Sequence, residues 1–216
     1  MNIKVAIIDY GLGNLFSIKQ ACENAGLKPF ITADEKTISK SDAIILPGVG
    51  AFGHAMNCLR DNNLIEPLLE FAKSGKSFMG VCLGMQLLFS KSEEFGLNNG
   101  LNLINGSIRK FPNSFKGDKI KSPQIQWNRI KNNNSIDWSN SPLKNIKNDT
   151  FMYFVHSFYC EPTNKSNILA YTNHMGFEYV SAVIKDNIIG FQFHPEKSSL
   201  QGIQIYSSWA NLIKKQ

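Results

Sequence analysis

The stretch KSFMGVCLGMQLLF sets Cys82 between Gly80 and Gly84, where a short apolar run gives way to Met85, Leu88 and Phe89 at helical spacing. Glycines two positions either side of a nucleophile are what a sharp strand-to-helix turn requires, as in the G-x-S-x-G elbow with sulfur replacing oxygen. A side chain at either glycine would collide with the strand or the helix. A lone cysteine fits a buried core thiol equally well. The two readings separate on whether the chain also supplies a base, an orienting acid and an oxyanion hole.

The segment GFQFHPEKS supplies the first two. His194 precedes Pro195, which biases it to extended backbone. In an extended segment residues two apart point to the same side, so Glu196 is placed to reach His194. Cys82 as nucleophile, His194 as base and Glu196 as the carboxylate that fixes the imidazole tautomer complete a triad. The N–H of Leu83, at the start of a helix, offers one oxyanion donor, and the same helix start favours a thiolate at Cys82. The glycine-rich loop of PGVGAFG offers the other donors. Its amides can face the pocket or turn away, and low turnover by the lone chain is expected.

Other motifs carry less. DYGLGN begins like a dinucleotide fingerprint, but Phe16 stands where the third glycine is needed, so no nucleotide cofactor is expected. His54, His156 and His174 read as structural. Cys22, Cys58, Cys82 and Cys160 are scattered without paired spacing, which argues against a metal site and for a reducing, cytoplasmic setting. The start lacks a signal-peptide pattern, and no run approaches the roughly 20 apolar residues of a membrane span. The net charge of +6 comes from dispersed lysines without a basic stripe or interleaved aromatics, which disfavours nucleic acid.

A length of 216 residues suits one α/β domain spanning 1–216. KVAII, KPFIT, SDAIIL and SFMGV read as buried strands, and NLFSIKQACENAG as a helix stopped at Gly26. HAMNCLRDNNLIEPLLEFAKSG reads as helical, interrupted before Pro67. Alternating strands and helices imply a mostly parallel sheet flanked by helices. The second half reads as shorter strands and hairpins, an added antiparallel portion, with Lys185-Asp186-Asn187 as a turn and a closing helix from Ser199. The polar stretch from Lys131 to Thr150 reads as a surface excursion.

PGVGAFG, GVCLGMQLLF and GFQFHPEKS together resemble the class I (triad-type) glutamine amidotransferases, over nearly the whole chain, which implies a flavodoxin-like fold. IDYGLGNLFSI, FVHSFY and the stand-alone length are most similar to one family within that class, the glutaminase subunits of imidazole glycerol phosphate synthase. The resemblance implies attack of Cys82 on the side-chain amide of glutamine, giving glutamate and ammonia by way of a thioester. It assigns the oxyanion loop to Gly48, Val49 and Gly50, and the glutamine pocket to Gln86, His156, Ser157 and Phe158, with no cofactor. It implies a heterodimer with a (β/α)8 cyclase subunit in histidine biosynthesis, which takes ammonia through a tunnel, with Asn14, Trp127 and Lys197 near that interface. One departure stands out. The family carries P-H-M-G-W-N facing the synthase, and this chain has Pro123-Gln124-Ile125-Gln126-Trp127-Asn128. Loss of the glycine is expected to alter a backbone turn, and the new side chains the docking. This leaves open a paralogue that feeds a different synthase, such as one of surface-sugar amidination. A non-catalytic ligand sensor and a γ-glutamyl hydrolase are the other readings, disfavoured by the intact triad and by the subunit-like resemblance.

Overall fold

The computed structural model describes residues 3–132 and 137–215. In chain order the first half runs β1 (Lys4–Ile8), α1 (Leu15–Asn24), β2 (Lys28–Thr32), α2 (Glu35–Ser39), β3 (Ala43–Leu46), α3 (Phe52–Asp61), α4 (Ile65–Lys73), β4 (Ser77–Val81) and α5 (Leu83–Leu87). Seven strands follow, namely β5 (Phe89–Ser92), β6 (Asn98–Asn99), β7 (Ile104–Lys110), β8 (Ser114–Phe115), β9 (Asp118–Lys119), β10 (Gln124–Lys131) and β11 (Thr150–His156). The chain closes with β12 (Phe158–Pro162), β13 (Ile168–His174), β14 (Phe177–Lys185), β15 (Ile188–Phe191) and α6 (Ser199–Ile213).

Five parallel strands, ordered β2-β1-β3-β4-β15, form the centre of the sheet. β3 and β4 are buried along their whole length, because helices cover both faces of a parallel sheet. Alternation sends Val5, Ile7, Ile45 and Met79 to the face covered by α1 and α6, and Ala6, Ile8, Ile44 and Phe78 to the face covered by α3, α4 and α5. β14, β12 and β7 continue the sheet antiparallel from β15, while β10, β11 and β13 branch off β14. The loops after β1, β3, β4 and β15 all leave from the carboxyl edge of the parallel strands, where ligand sites of open α/β sheets collect.

Several expectations hold in detail. α1 ends at Gly26, whose φ of +75° is the left-handed stop anticipated there. β14 and β15 form a hairpin around Asp186 and Asn187, with Lys185 opposite Ile188. Others need correcting. The break between α3 and α4 falls at Asn63, with φ +54°, and not just before Pro67. Pro67 sits in the first turn of α4, where its missing N–H would have had no helical acceptor. The helix after Cys82 does not run on to Phe89. Leu87 and Leu88 carbonyls accept from Leu101 and Leu103, so tertiary partners take the acceptors that the next helical turn needed. Within the polar stretch 131–150, residues 133–136 lie outside those described. The rest is not a mere excursion, since Trp138, Leu143 and Ile146 are buried and Trp138 Nε1 donates to the Leu169 carbonyl at 2.6 Å. Gln124–Asn128 lies in a regular strand paired residue by residue with β11, so no backbone turn was there to be altered by loss of a glycine.

Gly84 lies where a Cβ would run into the Leu46 carbonyl and come within 3.0 Å of the Pro47 oxygen, backbone against backbone. Gly26 also has positive φ, but nothing lies within 4 Å of its would-be Cβ. Gly84→Ala is therefore expected to cost about 3 kcal/mol in urea unfolding, and Gly26→Ala about 1 kcal/mol. Equal losses would show that the contact with β3 is softer than described.

Candidate active site

Cys82 joins β4 to α5 with φ +54° and ψ −113°. This conformation is costly for a residue with a Cβ. It is held by its N–H donating to the Phe191 carbonyl at 2.7 Å and by its carbonyl accepting from Gln86 N at 3.2 Å. A Cβ at Gly80 would lie 2.8 Å from Met85 Cα, so both flanking glycines are required sterically. Because Phe191 pairs with Val81 across β15 and β4, the chain beyond β15 passes directly beside Cys82.

That continuation brings His194 to the site. Its N–H donates to the Tyr153 carbonyl at 2.9 Å, and its own carbonyl accepts from Ser198 Oγ at 2.6 Å, which locks the ring's backbone to β11. His194 Nδ1 lies 2.7 Å from Glu196 Oε1, both side chains being buried. The route differs from the extended segment expected, since Pro195–Lys197 is a 3-10 turn that swings Glu196 back under the ring. Burial favours the neutral imidazole, but the Cys82 sulfur and the Glu196 carboxylate outweigh it, and the His194 pKa is pushed up to about 10. Nε2 makes no hydrogen bond in this resting geometry, although Cys82 is near enough to be the main influence raising the ring's basicity. With Glu196 on Nδ1, Nε2 is the nitrogen free to act on the sulfur. α5 spans only five residues, so little more than one turn of helix follows Cys82.

Cys82 and His194 line a cavity of about 280 Å³, together with Val49, Gly50 and Leu83 from the expected oxyanion loop and elbow. This volume lies near the lower end for ligand pockets and suits an amino acid. Gly48 does not line it. Gly48 is wedged between the Tyr10 hydroxyl and the backbone of Gly84, and a Cβ there would lie 2.7 Å and 2.9 Å from them. The Tyr10 hydroxyl donates to the Pro47 carbonyl at 2.7 Å, tying the loop after β1 to the loop after β3.

Gln86, His156, Ser157 and Phe158 line the opposite side. Gln86 Nε2 donates to the Phe158 carbonyl at 3.1 Å and to Gln192 Oε1 at 3.0 Å, leaving Gln86 Oε1 as its polar atom for the cavity. His156 Nδ1 donates to the same Phe158 carbonyl at 2.8 Å, and its Nε2 lies 3.2 Å from the Tyr179 hydroxyl. Burial drives the His156 pKa down to about 3, so the ring is neutral and braces the pocket wall. His54 is exposed on α3, 3.7 Å from Cys58 Sγ, and His174 contacts the Lys121 carbonyl at 2.7 Å; neither lines this cavity.

Glu94, from the loop after β5, went unrecognised in the sequence although it lines the cavity. Its Oε2 accepts from Phe52 N at the start of α3 at 2.7 Å. Only the number of carboxylates in SEEFG hinted at it, because the fold brings that loop across from the far side of the elbow. Asn14, Trp127 and Lys197 stand outside the cavity. Asn14 precedes α1 and Lys197 follows β15, both at the carboxyl edge of the sheet, and Trp127 is half-exposed on β10 with its ring against Tyr153.

This geometry can serve as thiolate, proton carrier, orienting carboxylate and backbone donors around one carbonyl carbon. The glutamine amidotransferase class-I family matches residues 6–208. A protein of Geobacter metallireducens named imidazole glycerol phosphate synthase subunit HisH is 41% identical over 95% of this chain and 97% of its own length. A Methanosarcina mazei protein of the same name is 43% identical over 97% and 98%. Among solved structures, PurLQS from Thermotoga maritima overlays with a TM-score of 0.73 at 19% identity, covering 98% of this chain and 99% of its own. A crystal structure of a glutamine amidotransferase overlays with a TM-score of 0.72 at 13% identity, covering 97% and 98%, and both overlays speak for the fold. The chain belongs to the class-I glutamine amidotransferase family.

Proposed function

We infer that this chain is the glutaminase subunit of an imidazole glycerol phosphate synthase, working in histidine biosynthesis. The observation that carries the reading is the approach of Cys82, His194 and Glu196 at one end of an amino-acid-sized cavity. The Cys82 thiolate attacks the carboxamide carbon of glutamine, and the carbonyl electrons move onto oxygen, facing the amides of Val49, Gly50 and Leu83. Collapse of this intermediate, with a proton from the His194 imidazolium, expels ammonia and leaves a γ-glutamyl thioester. Neutral His194 then takes a proton from water, which attacks the thioester and releases glutamate and the thiolate. Glu196 holds the ring throughout, and Glu94 offers negative charge to the substrate ammonium. No metal or cofactor enters any of these steps.

The partner reading rests on surface chemistry beside the cavity. Ile125 and Val155, Trp127 and Tyr153, and Arg129 and Phe151 face one another across β10 and β11. Ile125 is 60% exposed, Trp127 48% and Phe151 47%, with Val49 at 42% on the adjoining loop. Such a patch marks an interaction surface, and we assign it to a cyclase subunit that forms a heterodimer and receives ammonia through a closed channel. Ammonia released into water would be protonated and lose its nucleophilicity. Names carried by the 41–43% identical relatives support this partner. Free cysteines throughout fit a cytoplasmic setting.

Two outcomes check this assignment. With the cyclase from the same source, glutamine-dependent synthesis of imidazole glycerol phosphate is expected to vanish in Cys82→Ala while synthesis from free ammonia survives. Cyclase is also expected to raise glutamine turnover on the order of 100-fold over the lone chain. A cyclase that runs on ammonia but ignores this chain would overturn the partner and point to Ile125 and Gln126 as fitting another synthase.

The second outcome concerns pH. Proton donation to the leaving ammonia needs imidazolium, whose pKa of about 10 keeps it charged through neutral pH. Glutamine turnover by the complex should therefore fall on the alkaline side only near pH 10. Glu196→Gln removes one influence that raises this pKa, so the alkaline limb should move to lower pH. An unmoved limb would mean that another group sets it.

A further inference from the structure

We propose that Gln192 is a positioning residue for the Cys82 sulfur, presenting a side-chain N–H that is aimed by Gln86; this rests on the glutaminase reading above. Gln192 follows β15, is fully buried, and does not line the substrate cavity. Its Nε2 lies 3.9 Å from Cys82 Sγ.

The direction of its amide is fixed by backbone chemistry. The Phe158 carbonyl can only accept, so the Gln86 atom 3.1 Å away must be its nitrogen. The second hydrogen of that nitrogen points at Gln192 3.0 Å away, which must therefore turn its oxygen to Gln86. Gln192 is left with its NH2 group toward the sulfur. The anchoring carbonyl is itself held by His156 Nδ1 at 2.8 Å, on a ring kept neutral by burial. The Phe158 carbonyl accepts from both His156 and Gln86, Gln86 also donates to Gln192, and Gln192 is left to donate toward Cys82, so the acceptor at Phe158 fixes the polarity of both amides.

The sulfur has a competing neighbour. The Val155 carbonyl lies 3.9 Å from Sγ and can only accept, so it favours the sulfur while it carries a proton. The Gln192 N–H favours the sulfur once it is charged, since hydrogen bonds to ionised acceptors are the stronger class. Gln192 does not line the cavity, whereas Cys82 and His194 do. It was passed over in the sequence because a glutamine inside GFQFHPE reads as an ordinary strand residue.

The test is peptide-resolved iodoacetamide alkylation of Cys82 in the full chain across pH, with glutamine turnover measured in the complex with the cyclase. Gln192→Leu keeps similar bulk without the N–H, and Gln192→Glu keeps the acceptor for Gln86 while turning an oxygen to the sulfur. Both should move the alkylation midpoint to higher pH, Glu further than Leu, and should lower kcat by about 10- to 100-fold with KM little changed. Variants that melt earlier but keep the wild-type alkylation profile and kcat would reduce Gln192 to a packing role and overturn the proposal. If wild-type chain with cyclase hydrolyses no glutamine, the glutaminase reading fails instead, and the alkylation profiles still decide whether Gln192 acts on the sulfur.

Discussion

Everything at this site depends on a contact between backbones. α5 can start immediately after β4 only because Gly84 has no side chain to meet the Leu46 carbonyl, and because Gly80 has none to meet Met85. That approach forces Cys82 into left-handed backbone, at a cost of about 1–3 kcal/mol. A parallel sheet buried on both faces is what can hold such a residue. The Cys82 N–H completes the β4–β15 ladder by donating to Phe191, so relaxing the turn would break a buried hydrogen bond. A second close approach brackets the other half of the site. A Cβ at Gly202 would strike the Pro195 carbonyl, so α6 presses directly on the turn that carries His194 and Glu196.

Within that frame, environment separates two histidines of the same chain. His156 and His194 are both buried, and burial favours the neutral form of each. His156 meets a carbonyl and a hydroxyl, neither of which brings a full charge, and its pKa falls to about 3. His194 meets the Cys82 sulfur and a carboxylate, and its pKa rises to about 10. Each charge withdrawn from water costs several kcal/mol, recovered only where partners are close and hydrogen-bonded. The 2.7 Å contact from Glu196 to Nδ1 is such a partner. One ring is therefore held neutral as a brace and the other holds its proton, from the same side-chain chemistry.

Legibility in the sequence followed the range of the interactions. The elbow at Cys82, the strands that precede it and the H-P-E segment are local patterns, and local sterics dictated them. α5 was read too long because the groups that end it, Leu101 and Leu103 N–H, come from another segment. Trp138, Leu143 and Ile146 were overlooked because the polar residues around them mask a short apolar spacing that matters only against the core. Extended backbone through H-P-E would bring Glu196 to His194, and a 3-10 turn at Pro195–Lys197 makes that pairing instead. Glu94 and Gln192 were missed because their partners, Phe52 N and the Cys82 sulfur, are remote in the chain. No periodicity encodes such contacts.

β11 joins the two halves of the functional reading. Its outward side chains, Phe151, Tyr153 and Val155, form the apolar face beside the cavity with their partners on β10. Its main chain holds the site from the other side, through the Tyr153 carbonyl to His194 N and the Val155 carbonyl toward Cys82 Sγ. Its last residue is His156, the brace for the Phe158 carbonyl. Gln124, opposite His156, is buried and lies 3.1 Å from the Tyr179 hydroxyl, whereas Ile125 points outward beside Val155 and Gln126, opposite Phe154, is exposed on the other face of the strand. The departure in this segment thus divides into an internal change next to the brace at Gln124, one change on the outward apolar face at Ile125, and one on the opposite face at Gln126. Ile125 and Trp127 of β10 pair directly with Val155 and Tyr153 of β11, the residues whose carbonyls meet Cys82 and His194, so the apolar face and the candidate site lie on two adjacent strands a few ångströms apart.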